Sequence, residues 1–304
     1  MKSKPIYVEI EIQAPIDEVW EYTQNPNLHE KWDLRFTSIT YKPKYSDEDP
    51  QRFTYITKVM PGISVEGWGE SKGTHHKNNG TRTSSLHFGT DQRISPIAEG
   101  KGYWQYNPHQ QGVTFLTQYD YDVRFGMIGR IFDLLFRPMM GWATALSFDV
   151  LRRWIEKGEL PAVQYRSFLV NMLTSLLFFF VWFYHGLVPK AIFKHKDELT
   201  FFTDLIGMSN SLAQNAVLMA GIAEMAFALV WLLPIQKRAL FGLQIWIFPI
   251  LTLCAVLADV EIMGAAFNPV TLNASLWVLS IIGFINSKDL PTAKTCKRKR
   301  GSVS

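Results

Sequence analysis

The spacing of apolar positions changes character near Gly158–Glu159–Leu160–Pro161. Before that point, Ile6–Ile12 alternates apolar and polar residues, as a half-buried strand does. The segment 14–20 starts a helix, with Asp17 and Glu18 in its first turn where they suit the helix dipole. Asn25–Pro26 breaks that helix, and 28–32 reads as a second short one. Strands are expected near 53–59, 63–71, 81–88, 100–106 and 113–123, punctuated by Gly62, Gly80, Asn107–Pro108 and Gly112. In the last strand Val113, Phe115, Thr117, Tyr119, Tyr121 and Val123 share one face. A long helix is expected over 127–157. Ile128, Ile131, Leu135, Met139, Trp142 and Leu146 recur along it at three- and four-residue steps as one apolar stripe, the kind of face a helix buries. Arg130, Asp133 and Arg137 lie off the stripe and argue against a membrane span; Pro138 is expected to kink the helix.

After the switch come four apolar segments, 167–184, 212–233, 240–260 and 270–285. A stretch of about 18 such residues is long enough to cross a bilayer as a helix. The expected organisation is a soluble domain over 1–158, a linker over 159–166, a four-helix membrane domain over 167–287 and a basic cytosolic tail over 288–304. The mean hydropathy of zero averages a polar half with an apolar one.

Charge adds orientation. Arg152, Arg153, Lys157 and Arg166 precede the first span, Lys237 and Arg238 lie between the second and third, and Lys288, Lys294 and Lys297–Arg300 follow the fourth. This bias puts both termini on the cytoplasmic side of the plasma membrane, with Lys190, Lys194 and Lys196 in the first loop as the dissenting feature. The basic run beside a span reads as facing anionic lipid rather than nucleic acid. Met1–Pro5 leads into a strand and does not read as a signal peptide. Cys254 and Cys296 sit in different settings and are not expected to pair.

The opening "IEIQAPIDEVWEYTQNPNLHEKWD" and the closing "GMIGRIFDLLFRPMMGWATALSFDVLRRWIE" resemble the SRPBCC superfamily, the START-like or polyketide cyclase type. The resemblance implies an α+β helix-grip fold, an antiparallel sheet around a long C-terminal helix, enclosing an apolar cavity for lipids or other hydrophobic ligands. Tyr103, Tyr119, Tyr121 and Trp142 are the candidate ligand-binding residues. His75–His76 is expected in a solvated turn. Neither a nucleophile–base pair nor a metal-ligand spacing is recognisable, so no catalytic residue, metal or cofactor is assigned.

In the membrane half, Glu224 falls near the centre of the second segment, and Gly221, Glu224 and Ala228 share a helix face. Two roles stay open for Glu224: a structural hydrogen bond to a neighbouring helix, or handling of a proton or polar ligand group. Asn268 reads as an N-cap with Pro269 at the first helical position. Together "WFYHGLVPK", "GIAEMAFALVWLLP" and "FNPVTLN" resemble the DoxX-like four-helix membrane family, with Tyr184, His185, Lys190, Glu224, Asn268, Pro269 and Asn273 at its motif positions. The sequence reading is thus an all-α transmembrane bundle carrying a cytosolic hydrophobic-ligand-binding domain, whose partners are membrane lipids and an apolar molecule. The alternatives are an accessory subunit of a quinone-linked membrane redox complex, served by a redox partner, and a structural or assembly factor.

Overall fold

The computed structural model describes residues 4–46, 49–60 and 62–300. The chain forms two compact units, one of 1–165 with 291–304 and one of 166–290.

In the first unit, β1 (Ile6–Ile12), β2 (Ser38–Tyr41), β3 (Gln51–Met60), β4 (Ile63–His76), β5 (Arg82–Gly89), β6 (Ile97–His109) and β7 (Gly112–Val123) make one antiparallel sheet. Its order is β1-β7-β6-β5-β4-β3-β2. Two short helices, α1 (Ile16–Gln24) and α2 (Pro26–Trp32), follow β1, and the long α3 (Gly126–Lys157) follows β7. This is the helix-grip order. Alternation does the folding: Ile10 pairs with Phe115 and Ile12 with Val113, and both pairs turn inward. There they meet the C-terminal half of α3, where Leu146, Phe148, Val150 and Leu151 are buried and Phe148 stacks on Phe115 at 4.5 Å.

The N-terminal half of α3 departs from expectation. Of the apolar stripe, only Leu146 is buried. Ile128 is 77% exposed, Ile131 64%, Leu135 79% and Met139 53%. The face against the sheet is polar instead. The Tyr121 hydroxyl donates to Asp133 Oδ1 at 2.7 Å, and Arg137 donates to Asp133 at 2.8 Å and to Asp120 at 2.6 Å. Hydrophobic periodicity told where the stripe lies on the helix, but the ion-pair network decides which way it points. His75 and His76, expected in a turn, close strand β4.

Residues 292–297 are tied to β1 and α3. Lys297 exchanges both backbone hydrogen bonds with Glu9 at 2.9 Å, which covers the edge of β1. Its ammonium meets the Glu9 carboxylate at 2.8 Å. The Thr292 amide and the Thr295 hydroxyl donate to Asp149 of α3 at 2.8 and 2.9 Å. Cys296 donates to the Ala145 carbonyl, and burial pushes its thiol up to about 12.

The second unit is helical: α4 (Pro161–His185), whose first turn belongs to the first unit, continues as a π-helical stretch, Gly186–Ile192. Then come the short α5 (Lys196–Thr200), a second π-turn, α6 (Asn210–Val230), α7 (Arg238–Ala258) and α8 (Pro269–Asn286). Four of these helices are long and apolar enough to cross a membrane. Their centre is aromatic, with Phe178, Trp182, Trp231, Phe241 and Phe248 buried together.

Candidate functional site

Two places gather chemistry, one in each unit. In the first unit, α3 closes only part of the sheet. Val8, Ile10, Ile12, Val113 and Phe115 on β1 and β7 are buried, whereas Phe53, Val65, Leu86 and Phe88 on the same inner face of β3, β4 and β5 keep part of their surface accessible. Gly69 and Gly100 let two of these rings lie flat on the sheet: a Cβ at Gly69 would strike the Phe53 ring, and one at Gly100 the Phe88 ring. The result is an aromatic, partly open concavity.

Its polar groups are few and fixed. Tyr119 shares a hydrogen bond with Thr144 at 2.9 Å and meets Phe88 edge-on at 6.4 Å. The Arg35 guanidinium lies 5.4 Å from the Tyr119 ring centre and 5.6 Å from that of Phe36. It donates to both oxygens of Asp33, at 2.8 and 2.6 Å, and His29 meets the same carboxylate at 3.1 Å. Burial alone would raise the Asp33 carboxyl. The Arg35 charge and its hydrogen bonds outweigh burial and hold the group well below the usual carboxylate range. Sequence reading missed Asp33 and Arg35, because an acid and a base two residues apart in a loop carry no spacing signal.

The ligand-binding candidates separate. Tyr119 and Tyr121 face inward. Tyr103 lies on the outer face, donating to Gln118 at 3.4 Å, in a shallow hollow of about 460 Å³ shared with Lys101 and Ser85. Trp142 is 37% exposed on the outward side of α3.

In the second unit, Lys190 is buried in the π-helical stretch rather than placed in a loop. Its ammonium lies 3.0 Å from Glu198 and 3.1 Å from Glu224 Oε2, the latter contact falling off the hydrogen-bond direction. Glu198 was not recognised in the sequence, because nothing in a short polar segment signals its reach into the bundle. The approach depends on glycine: a Cβ on Gly221 would sit 2.7 Å from the Gly186 carbonyl oxygen, and one on Gly186 2.5 Å from that of Gly221. Pro189, which has no N–H to donate, lies inside the π-helical stretch that presents Lys190. His185 and Tyr184 precede that stretch, ring against ring at 5.9 Å. Asn268 accepts from the Thr271 amide at 2.9 Å with Pro269 next to it, the local cap that the sequence spacing describes; Asn273 lies one turn further along α8. Among the described residues, both polar atoms of the Gln244 amide and the indole N–H groups of Trp182 and Trp231 are buried without a hydrogen-bond partner.

A helix-grip domain followed by four apolar helices defines a membrane protein of two modules, and the DoxX-like family model matches residues 179–281 of the second. Over its whole length the chain is similar to "Uncharacterized membrane protein YndG" of Bacillus subtilis (strain 168), with 39% identity over 307 residues covering 99% of each protein, and it belongs to that protein's family. Solved structures are similar to about half of the chain at low identity. One is a fragment of the STAR-related lipid transfer protein from Xanthomonas axonopodis, with 16% identity, 49% of this chain, 84% of that one and a TM-score of 0.37. Another is the di-domain ARO/CYC StfQ from the steffimycin biosynthetic pathway, with 9% identity, 49% of this chain, 48% of that one and a TM-score of 0.39. The helix-grip assignment rests on strand order and on the helix seated in the sheet, not on these likenesses.

Proposed function

We propose that the protein is a membrane-anchored binder of an apolar molecule, a lipid or a hydrophobic small molecule, held in the concavity of the first unit and kept at the bilayer by the second. The observation that carries this reading is the unequal closure of the sheet. The same inner face is sealed over β1 and β7 and left accessible at Phe53, Val65, Leu86 and Phe88. Concave, mostly apolar surfaces with a few fixed polar groups are what small-molecule sites look like. Tyr119, held by Thr144, and the Arg35–Asp33 pair are the polar groups beside this surface. No comparison supports the redox-partner alternative.

The test is mass spectrometry of lipids and small molecules bound to the full chain purified in detergent, combined with titration of an apolar fluorophore. We expect an apolar molecule to co-purify and saturable displacement by the fluorophore. Leu86→Glu, which puts a carboxylate on the open inner face, should weaken that binding about tenfold or more, the cost of desolvating an unpaired charge. Non-saturable binding by the folded wild type would reject the reading.

The binder is further proposed to sit in the plasma membrane with both termini in the cytoplasm. Four crossings return the chain to the side it left, which agrees with residues 291–297 lying on β1 and α3 of the first unit. Lysines and arginines flanking the spans favour the cytoplasmic side. Reporter fusions after Lys157 and after Ser304 should both read cytoplasmic. A periplasmic reading at either position would overturn this topology.

A further inference from the structure

The first four turns of α3 are built inside out. At about 100° per residue, Met127, Ile128, Ile131, Leu134, Leu135 and Met139 fall within a single outward arc, each more than half exposed. The opposite arc holds Gly129, Asp133 and Arg137 against the sheet. Asp133 is 6% exposed, and the Arg137 guanidinium stacks 4.2 Å from the centre of the Tyr121 ring. Rotating the helix to bury its apolar arc would break every one of these interactions, so the arc stays outward.

The apolar surface does not end with the helix. β3 and β4 join near Met60, β5 and β6 near Ile94, and β7 enters α3 at Phe125; the antiparallel order puts these three connections at one end of the sheet. Arg124 ties two of them together, donating to the Gln92 carbonyl at 2.7 Å and to that of Thr90, and the Gln92 side chain accepts from the Glu66 amide of β4 at 3.2 Å. Val59, Met60, Ile94 and Phe125 at these tips are all more than half exposed. Lys58, Arg93 and Arg130 are exposed cations among them, with Glu66, Asp91 and Asp122 as exposed acids nearby. The Asp133–Arg137 pair holds the apolar arc outward, Arg124 and Gln92 hold the loop tips, and the two meet where β7 enters α3.

We propose that this surface lies in the headgroup–acyl boundary of the bilayer, with the first four turns of α3 flat in the interface. The occupant follows from the chain itself. Only Gly158–Leu160 separate α3 from α4, the first of the four apolar helices, so this domain is leashed to a bilayer by three residues. The amphipathic face has the character of helices that lie in that boundary, with long apolar side chains flanked by cations. The docking is a property of the surface and does not depend on whether the concavity holds a ligand.

The experiment uses the full chain in lipid nanodiscs, with Cys254→Ser and Cys296→Ser as background. A fluorophore is attached at Ile131→Cys or Leu135→Cys, or at the control sites Thr54→Cys and Lys101→Cys on the outer face of the sheet. Nitroxide-labelled phospholipid should remove most of the emission from the α3 labels and little from the controls, while aqueous iodide should do the reverse. Quenching of the α3 labels by iodide and not by lipid would overturn the proposal. So would protection from both quenchers, which would mean that a protein surface, a second copy included, covers the arc. Ile131 and Leu135 make no buried packing, so the labels leave the fold intact, and unchanged thermal unfolding of the labelled chains checks this.

Discussion

Asp33→Ala is expected to cost the first unit about 3–5 kcal/mol, the penalty of leaving a buried charge without its partner. The Asp33 side chain is fully buried, and the Arg35 side chain, only 13% accessible, gives it two hydrogen bonds while the Arg35 amide gives a third. Removing the carboxylate leaves the guanidinium beside Tyr119 and Phe36 with no counter-charge and little water. Since a domain's whole stability is about 5–15 kcal/mol, this is a large fraction of it and should appear as a clear drop in melting temperature. The pair also holds the 33–37 connection to α3, where the Leu34 amide donates to Ser147 at 2.9 Å. Replacing both partners together, as Asp33→Leu with Arg35→Met, should cost less than the single change, because no orphan charge remains. The sign with pH follows from the depressed carboxyl. The stabilisation is complete above the unfolded-state value, about 3.9, and is lost as pH falls toward the folded value. Acidification below about pH 4 should therefore destabilise the wild type more than Asp33→Asn. Thermal unfolding of the full chain in detergent, followed by tryptophan emission, measures all three; Trp32 stacks on His29 at 5.0 Å and reports locally. An unchanged melting temperature for Asp33→Ala would refute the assignment.

The second large effect is expected at Gly221. Any Cβ there meets the Gly186 carbonyl oxygen at 2.7 Å and the Lys190 side chain at 3.0 Å. A backbone oxygen cannot swing aside, so Gly221→Leu must push α6 away from the π-helical stretch. That movement separates Lys190 from Glu224 and leaves charged groups in an apolar bundle, where each is costly. Gly221→Leu should lower the melting temperature of the second unit by several degrees or more, the effect of about 1–3 kcal/mol of overpacking. Gly242→Leu serves as control, because a Cβ there meets only the Phe284 ring at 3.4 Å, which is ordinary contact. Equal melting temperatures for wild type and Gly221→Leu would show that the two backbones do not need this approach.

How much of this was legible in the sequence varies by element. β1 and β7 were plain because period-two alternation records which face is buried. β2 was missed: Ser38–Tyr41 is a four-residue edge strand with a single buried side chain, too short to set a period. The four apolar helices were legible because length and hydropathy alone define them. The facing of α3 was not, since an apolar stripe marks a surface that avoids water without saying whether protein or lipid covers it. Asp33, Arg35 and Glu198 were invisible for a different reason. Their partners are chosen by loop geometry, which leaves no periodic trace. Tyr119 was named as one of several tyrosines, yet only the register of β7 against β6 separates it from the outward Tyr103.

The backbone pairing of Lys297 with Glu9 has a consequence for biogenesis. The edge of β1 is completed by residues that follow all four apolar helices in the chain, so those helices are made before the residue that closes the edge. Until then Asp149 lacks the Thr292 and Thr295 donors and β1 presents an open edge. The first unit therefore closes this edge only after the last apolar helix has been made, and a chain cut short anywhere before Thr292 carries an unfinished sheet.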